Sequence, residues 1–397
     1  CKLNLDTRTR TAKRVFNRYK LCDSCLGRQF SSNLTNKING KNIREIIKEN
    51  KIKKECFICG GMMNNLGQLA KKIITETKKY EYSTFMVGTI LDSEIIERED
   101  IVRSEFKVRG GEPIKSEITK ELSKIIKRKN GKTISLNRPE LNILVNTLFD
   151  EIELSSRPIF VKGMYVKNER GINQKKQRCK QCRSEGCKVC RFSGFMKLPS
   201  IENEIQKYLK KKFNANEIKI SWIGSEDQNS LVRYKGRPFF AEISSPTKRK
   251  ALFREKKMKY GITIKSAEVL TKRPIIDNGF IMKARVNFES NIKDEKRIRK
   301  IENYFNNKDI SIYSMNKRKY FIRKIISIKV KKIVGNRTTI ELVCEGGINI
   351  KKLVSGENGQ VEPNFRKVLR IKCSVDKKAP FDVHYVRFQE SEKKLKT

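Results

Sequence analysis

Apolar residues recur at helical spacing in some parts of the chain and form strand-like runs in others. The stretches LGQLAKKIITETKKY and SIENEIQKYLKKKF place apolar residues three and four positions apart, which predicts amphipathic helices. GEPIKSEITKELSKIIKR predicts another helix, with Pro113 near its first turn. The β-branched and aromatic runs that are typical of strands are YSTFMVGTIL, ELNILVNTLFDEIEL, RPIFVKGMYV, FIMKARVNF and RTTIELVC.

The order of these elements predicts an α+β protein with four consecutive regions. Residues 1–61 form a cysteine-containing module with two short helices, one of them over NIREIIKEN. Residues 62–175 mix strands and helices, which predicts an α/β region, and residues 176–195 form a compact cysteine-rich segment. Residues 196–397 alternate helices with strands, as in an α+β domain with an antiparallel sheet. The tail QESEKKLKT is expected to fray.

The charge of the chain indicates a polyanionic partner. Lys and Arg number 90 against 44 Asp and Glu, so the formal net charge is +46. A compact protein with this excess repels itself unless anions neutralise it, and nucleic acid is the partner that the charge favours. A membrane surface is the alternative. The sequence has no run near the roughly 18 apolar residues of a transmembrane helix and no secretory signal, so we expect a cytoplasmic protein.

Eight of the eleven cysteines form four CxxC pairs. They are Cys22 with Cys25, Cys56 with Cys59, Cys179 with Cys182, and Cys187 with Cys190. In a reducing compartment such pairs are typical of zinc ligands rather than disulfides, and two pairs complete a closed tetrahedral site with no open position for catalysis. The sequence therefore predicts two structural zinc sites. Spacing does not exclude an iron–sulfur cluster, and a thioredoxin-like dithiol is a remote alternative.

The catalytic possibilities are limited to chemistry without an organic cofactor. The sequence has neither the GxxxxGK[ST] loop of nucleotide triphosphatases nor a GxGxxG loop after a strand. His384 falls on a predicted strand, where a structural role is favoured. In GSEDQNSLVRYKGRP, Gly224 opens a polar loop with Glu226 and Asp227, and Arg233 and Arg237 follow. On spacing alone, this loop is better explained as a solvent-exposed turn whose acids relieve positive charge.

A set of longer segments favours a functional role for this loop instead. LCDSCLGRQF, RPIFVKGMYVKNERGINQ, GSEDQNSLVRYKGRPFFAEI and EGGINIKKLVSGENGQVEPN occur in this order, with CKQCRSEGCKVC between the second and the third. Together they resemble the archaeal form of the Pus10 family of tRNA pseudouridine synthases, over about Cys22 to Val386. The section FMVGTILDSEIIEREDIVRSEFKVRGGEPIKSEI is similar to a THUMP domain, an RNA-binding module of tRNA-modifying enzymes.

This resemblance implies a function and a site. It implies an enzyme that isomerises uridine 54, uridine 55 or both in the tRNA T-arm loop without a cofactor, and we expect this enzyme to be a monomer. Asp227 matches the catalytic aspartate of the family, and Lys351 matches a basic residue expected beside it. Ile350 would pack under the flipped base. The regions become a zinc module (1–61), a THUMP-like RNA-binding region (62–175), a second zinc knuckle (176–195) and a pseudouridine synthase domain (196–397).

The sequence departs from the family pattern at three positions. Ser225 stands where the family usually has Arg, and Met282 and Asn349 stand where it has tyrosines that contact the substrate. Tyr260 or Phe280 are alternatives for the first tyrosine. A rival function is therefore a non-catalytic, zinc-stabilised tRNA-binding protein or tRNA chaperone of the same fold. A thiolation or methylation factor ranks last, because no nucleotide or methyl-donor loop is visible.

Overall fold

The computed structural model describes residues 2–30, 35–52, 55–275, 279–292, 294–315 and 318–388. The predicted frayed tail, residues 389–397, lies outside them. Among the described residues, no helix combines the length and the apolar character that a membrane crossing requires. The chain divides into two compact units, Cys1–Arg157 and Pro158–Thr397. Each unit has its own sheet and its own hydrophobic core.

The first unit combines helices with a four-stranded sheet. Its helices are α1 (Lys2–Arg18), α2 (Asp23–Gly27), α3 (Asn36–Ile46), α4 (Met62–Thr77), α5 (Ser93–Glu105) and α6 (Ile114–Asn130). Its strands are β1 (Thr84–Ile90), β2 (Thr133–Ile134), β3 (Leu141–Asn146) and β4 (Glu151–Ser156). The strand order is β2-β1-β3-β4, in which β1 runs parallel to β2 and β3, and β4 runs antiparallel to β3.

Periodicity in the sequence explains how this unit packs. Ile118, Leu122 and Ile126 recur four residues apart on α6 and are fully buried, and α6 packs against β1 and α4. Pro113 precedes the first residue of α6, as predicted, and Gly131 ends the helix with a φ of +68°. The sheet and these helices therefore share one hydrophobic core.

The second unit is built on one large sheet. Its strands are β5 (Ile159–Lys167), β6 (Glu217–Trp222), β7 (Val232–Ser244), β8 (Lys256–Lys257), β9 (Ile262–Leu270), β10 (Phe280–Ser290), β11 (Lys308–Ser314), β12 (Lys319–Val334), β13 (Arg337–Glu345), β14 (Val361–Glu362), β15 (Cys373–Val375) and β16 (Phe381–Phe388). Its helices are α7 (Ile201–Phe213), α8 (Glu295–Phe305), α9 (Ile350–Ser355) and α10 (Phe365–Leu369).

The topology of this sheet places the last described strand in its middle. The order is β14-β11-β12-β13-β10-β16-β7-β5-β9-β8, with β6 paired to β7 and β15 paired to β10. Strand β16 pairs antiparallel with β10 and parallel with β7, whereas the other neighbours are antiparallel. The expected antiparallel sheet is thus interrupted by one parallel pair.

The boundary between the units differs from the expected one. The sequence pattern assigned RPIFVKGMYV to the region that ends at residue 175, but its strand β5 pairs with β7 and β9 of the second sheet. The division falls between Arg157 and Pro158, so the second cysteine segment also belongs to the second unit. The sequence of a strand does not indicate which sheet the strand joins, because its hydrogen-bond partners are distant along the chain.

The aromatic contacts of α8 give a stability prediction. Phe305 is fully buried, and its ring centroid lies 5.2 Å from that of Phe365. We expect Phe305→Ala to lower the free energy of unfolding by about 3–5 kcal/mol, because the cavity cannot fully collapse. Denaturant unfolding followed by fluorescence of the single tryptophan, Trp222, measures this. Tyr320→Ala, at a position that is 68% exposed, is the control, and equal losses in both variants would contradict the prediction.

Candidate active site and cysteine clusters

The polar loop between β6 and β7 begins at a position that only glycine fits. Gly224 has a φ of +69°, and a Cβ there would lie 2.9 Å from Arg237 Nη2 and 3.0 Å from Phe280 Cζ. Because glycine has no side chain, the backbone after β6 can pass close to the side chains of Arg237 and Phe280. The loop then turns so that its acidic residues take two different environments.

Asp227 lies in a cavity of about 400 Å³. The lining residues come from the loop, from β7, β10 and β16, and from the segment that leads into α9. They are Gly224, Ser225, Glu226, Asp227, Arg237, Phe280, Met282, Gly347, Ile348, Asn349, Ile350, Lys351 and Phe381. A volume in the range of about 300–1,000 Å³ is typical of small-ligand sites, and this lining combines apolar side chains with several polar and charged ones.

The Asp227 carboxylate has one partner for each oxygen. Oδ1 accepts a hydrogen bond of 2.8 Å from the backbone N–H of Asn229, and Oδ2 lies 2.5 Å from Lys351 Nζ. The Asp227 side chain is 19% exposed and that of Lys351 is 50% exposed. The turn thus orients the carboxylate toward the cavity, where a cation balances its charge and solvent or substrate can reach it.

Glu226 also belongs to the cavity lining, but its side chain is completely buried. Its Oε1 is 2.8 Å from Lys167 Nζ, its Oε2 is 3.9 Å from Arg237 Nη1, and both of its oxygens are enclosed. Tyr165 donates a hydrogen bond of 2.6 Å to Oε2. Burial and the nearby Glu226 charge raise the pKa of Tyr165 well above its usual value, so its hydroxyl stays a donor. This burial rules out a simple solvent-exposed turn for Glu226.

A second ion pair fixes the far end of the loop. Arg170 makes a two-pronged contact with Asp382 of β16, at 2.8 and 3.0 Å, and also donates to the carbonyl of Asn229. Asp382 in turn accepts a 3.0 Å hydrogen bond from the backbone N–H of Leu231. The loop is therefore held at its start by Arg237 and at its end by Arg170.

The structure brings most of the predicted site residues together. Met282, Asn349, Ile350 and Lys351 line the cavity with Asp227. Asn349 caps α9, accepting a hydrogen bond from the backbone N–H of Lys352 through its side chain.

The remaining predictions divide between the cavity and the rest of the unit. Arg237 is buried in the cavity wall, whereas Arg233 is exposed on β7. Of the two alternatives for the missing aromatic residue, Phe280 lines the cavity and Tyr260 does not belong to its lining. His384 is buried on β16 with its ring 4.8 Å from that of Tyr234.

Sequence reasoning missed the residues beneath the loop. Tyr165, Lys167 and Arg170 all lie in the segment RPIFVKGMYVKNERGINQ, but only as part of a family pattern. A lysine at the end of a strand is normally solvated, so nothing in its spacing indicates full burial. Asp382, separated from Arg170 by 212 positions, has no local signal either.

The first cysteine cluster joins α2 to the segment before α4. Cys22, Cys25, Cys56 and Cys59 have sulfur atoms within 4.8 Å of one another. The backbone N–H of Cys22 donates to Cys56 Sγ at 3.3 Å, and Arg28 donates to Cys25 Sγ at 3.5 Å. Arg28 is itself buried and paired with Glu99 of α5. The Arg28 guanidinium favours the thiolate form of Cys25, the sulfur it contacts, and metal binding requires thiolates.

The second cluster is local to one loop between β5 and α7. Cys179, Cys182, Cys187 and Cys190 have sulfurs within 4.8 Å of one another, with three pairs at 3.8 Å. Zinc–sulfur bonds of about 2.3 Å in a tetrahedron separate the sulfurs by about 3.8 Å, so the observed spacing fits that geometry. It is far too long for disulfides, whose sulfurs are about 2.05 Å apart. Both clusters could hold a metal ion.

Comparison with known families identifies the chain at this point. The family model "Pus10, C-terminal" matches residues 160–386, and the model "Pus10 THUMP domain, archaeal" matches residues 69–146. The chain belongs to the Pus10 family. The resemblance seen in the sequence segments is thereby confirmed, and the cavity with Asp227 and Lys351 lies inside the C-terminal match.

Relatives across the Pus10 family cover nearly the whole chain. The tRNA pseudouridine synthase Pus10 of Nitrosopumilus maritimus is 34% identical over 381 residues, which is 94% of this chain and 97% of the relative. That of Pyrococcus furiosus is 30% identical and covers 90% of this chain and 93% of the relative. A chain in a solved Cbf5-Nop10-Gar1 complex is 14% identical, covers 46% of this chain and 44% of its own, and has a TM-score of 0.29. This structural likeness is too low to carry any argument.

The wall of the cavity gives a prediction that does not depend on function. A Cβ at Gly346 would overlap ring atoms of Phe280, so Gly346→Ala is expected to displace that ring and to destabilise the second unit by about 1–3 kcal/mol. Denaturant unfolding followed by Trp222 fluorescence measures the loss. Phe280→Leu removes part of the overlap, so Gly346→Ala should cost less stability in the Phe280→Leu background than in wild type. The same loss from Gly346→Ala in both backgrounds would show that Phe280 is not the cause.

Proposed function

We propose that the protein is a tRNA pseudouridine synthase that isomerises uridine 54, uridine 55 or both in the T-arm loop of tRNA. The observation that carries the proposal is the pair formed by Asp227 and Lys351, 2.5 Å apart in a cavity within the Pus10 C-terminal match. The relatives support the proposal, because they are named tRNA pseudouridine synthases and align over nearly the full chain.

In this proposal, Asp227 is the catalytic residue. Its carboxylate either attacks the ribose of the target nucleotide or removes a ribose proton while the glycosidic bond breaks. The uracil then rotates in place and reattaches through carbon, so that substrate and product have the same atoms. Because the reaction is an isomerisation, it requires no organic cofactor. Lys351 stabilises the negative charge of the carboxylate within the site.

The rest of the cavity fits a flipped-out base. A base in a folded RNA must leave its stack before an enzyme can reach its glycosidic bond, and apolar or aromatic groups then cover its faces. Ile350 is a buried residue of the cavity lining, and Phe280 and Met282 provide an aromatic ring and a polarisable sulfur. We assign these side chains to packing of the uracil, with Asn349 beside them.

The proposed partner is tRNA, bound by the chain as a monomer in the cytoplasm. The charge of +46 supports contact with phosphates, because each neutralised phosphate releases counterions. The match to an archaeal THUMP domain over residues 69–146 supports an RNA-binding role for the first unit. Arg233, exposed on β7, is assigned to the RNA backbone rather than to the reacting base.

We also propose that each cysteine cluster holds a structural zinc ion. Four thiolates fill all positions of a tetrahedral zinc, so neither site takes part in the reaction. Zinc in the first cluster would hold α2 to the segment before α4, and zinc in the second would fold the loop between β5 and α7. The chain's own residues, and not the metal, would contact the uridine.

A non-catalytic tRNA-binding protein or tRNA chaperone of the same fold is the second candidate. Ser225, Met282 and Asn349 favour it, because they replace an Arg and two Tyr that the family usually has. Each lost aromatic stack is worth about 1–3 kcal/mol per base. Phe280 in the cavity lining offers a ring in compensation, which makes the enzyme the better supported function.

The first test is tritium release from a tRNA transcript labelled at uracil C5, because release reports the new bond to carbon. Asp227→Asn keeps the shape of the side chain but removes its charge, and we expect the rate to fall about 100- to 10,000-fold with tRNA binding retained. Asp309→Asn, at an exposed position of β11, is the matched control and should match wild type. Tight binding without release from wild type would favour the non-catalytic candidate.

The metal proposal has its own test by elemental analysis of purified protein. Wild type should contain about two equivalents of zinc, and Cys56→Ser and Cys187→Ser should each lose about one, since three thiolates bind zinc far more weakly than four. Cys344→Ala, which removes a buried cysteine outside both clusters, should keep both equivalents. Iron in place of zinc, or no metal in freshly prepared wild type, would contradict the assignment.

A further inference from the structure

The buried charges beneath the loop are not explained by stability alone. The side chains of Lys167 and Glu226 are both 0% exposed, and their charged atoms are 2.8 Å apart. Removing two ions from water costs several kcal/mol for each, and apolar residues of the same volume stabilise a core as well or better. A buried pair of this kind therefore calls for a second role, and this one directly precedes Asp227.

The two cations that contact Glu226 also bind the backbone of the loop. Lys167 Nζ donates to the carbonyls of Asp227 and Gln228, at 3.3 and 3.2 Å, and to that of Ile172 at 3.0 Å. Arg237 donates to the carbonyls of Ile223 at 2.7 Å and Ser225 at 3.1 Å. Lys167 and Arg237, the two cations that contact the Glu226 carboxylate, therefore bind backbone carbonyls on both sides of Glu226. These hydrogen bonds fix the path of the loop backbone.

We propose that Glu226 is a positioning residue, whose buried carboxylate holds Lys167 and Arg237 so that the loop presents Asp227 to the cavity opposite Lys351. The inference rests on the proposed function, since it assigns a role relative to the reaction of Asp227. Glu226 itself does not contact the uridine in this scheme. Its effect passes through the carbonyls of Ile223, Ser225 and Asp227, whose positions fix where the catalytic carboxylate lies.

The geometry predicts how the reaction responds when the cluster is altered. A misplacement of about 1 Å can slow a reaction about 100-fold without changing how the rest of the substrate binds. In Glu226→Gln the amide keeps a partner for Tyr165 but no longer balances two buried cations. We expect the single-turnover rate on tRNA to fall about 100-fold, while the tRNA dissociation constant stays within about threefold of wild type. Glu357→Gln, at an exposed position, is the control.

A double variant separates positioning from stability. Lys167→Met/Glu226→Gln removes the buried pair together, which should restore the thermal unfolding temperature lost in Glu226→Gln. If Glu226 is a positioning residue, the double variant should still react about 100-fold more slowly than wild type. The introduced thioether side chain donates no hydrogen bonds to the loop carbonyls. If its rate per folded molecule returns to that of wild type along with stability, Glu226 is only a structural residue and the proposal is wrong.

A second variant keeps the test decisive if Glu226→Gln does not fold. Arg237→Lys preserves the buried charge, but one ammonium cannot span the carbonyls of Ile223 and Ser225 as the guanidinium does. We expect about a 10-fold slower rate with unchanged tRNA affinity, and a wild-type rate would overturn the proposal. Asp227→Asn is measured in parallel: if it reacts as fast as wild type, the proposed function itself has failed, whatever Glu226 does.

Discussion

The ion pair of Lys167 with Glu226 is the interaction on which the site depends. It joins β5, the first strand of the second unit, to the loop that follows β6, and it does so with no access to water. The desolvation of both groups is offset by Tyr165, by Arg237 and by backbone carbonyls, which together satisfy the charges. Because charged partners of this kind tolerate little displacement, the register of β5 with β7 and the path of the loop are fixed together.

The secondary structure was largely predictable, because periodicity reports which face of an element is buried. Helix α6 with Pro113 before it, helix α7 and strands β10 and β13 follow directly from their patterns. The assignment of β5 to the second sheet did not follow, since pairing partners are not encoded locally. At the site, Asp227 and Lys351 came from the family resemblance, and their contact came from the structure. Glu226 was misjudged as exposed, because an acid among polar residues normally is.

The two cysteine clusters constrain the chain in different ways. Cys22 and Cys59 are 37 positions apart with sulfurs 3.9 Å from each other, so the first cluster closes a long loop that includes α3. The second cluster closes a loop of only a dozen residues, from Cys179 to Cys190. Loop-closure entropy grows with length, so a metal bound at the first cluster restricts the unfolded chain more. Arg28 then ties that cluster to Glu99 of α5, which extends its influence into the first unit's core.

The central place of β16 has a consequence for the order in which the protein is made. Ribosomes release the chain from its amino end, so β5, β7 and β10 emerge long before residues 381–388. Until β16 arrives, the strands on either side of it have no common neighbour, and Arg170 has no Asp382 to bind. The loop with Asp227 therefore acquires its anchors on Asp382 only after residues 381–388 have been made. A chain that stops before β16 lacks these anchors, so it cannot build the complete site.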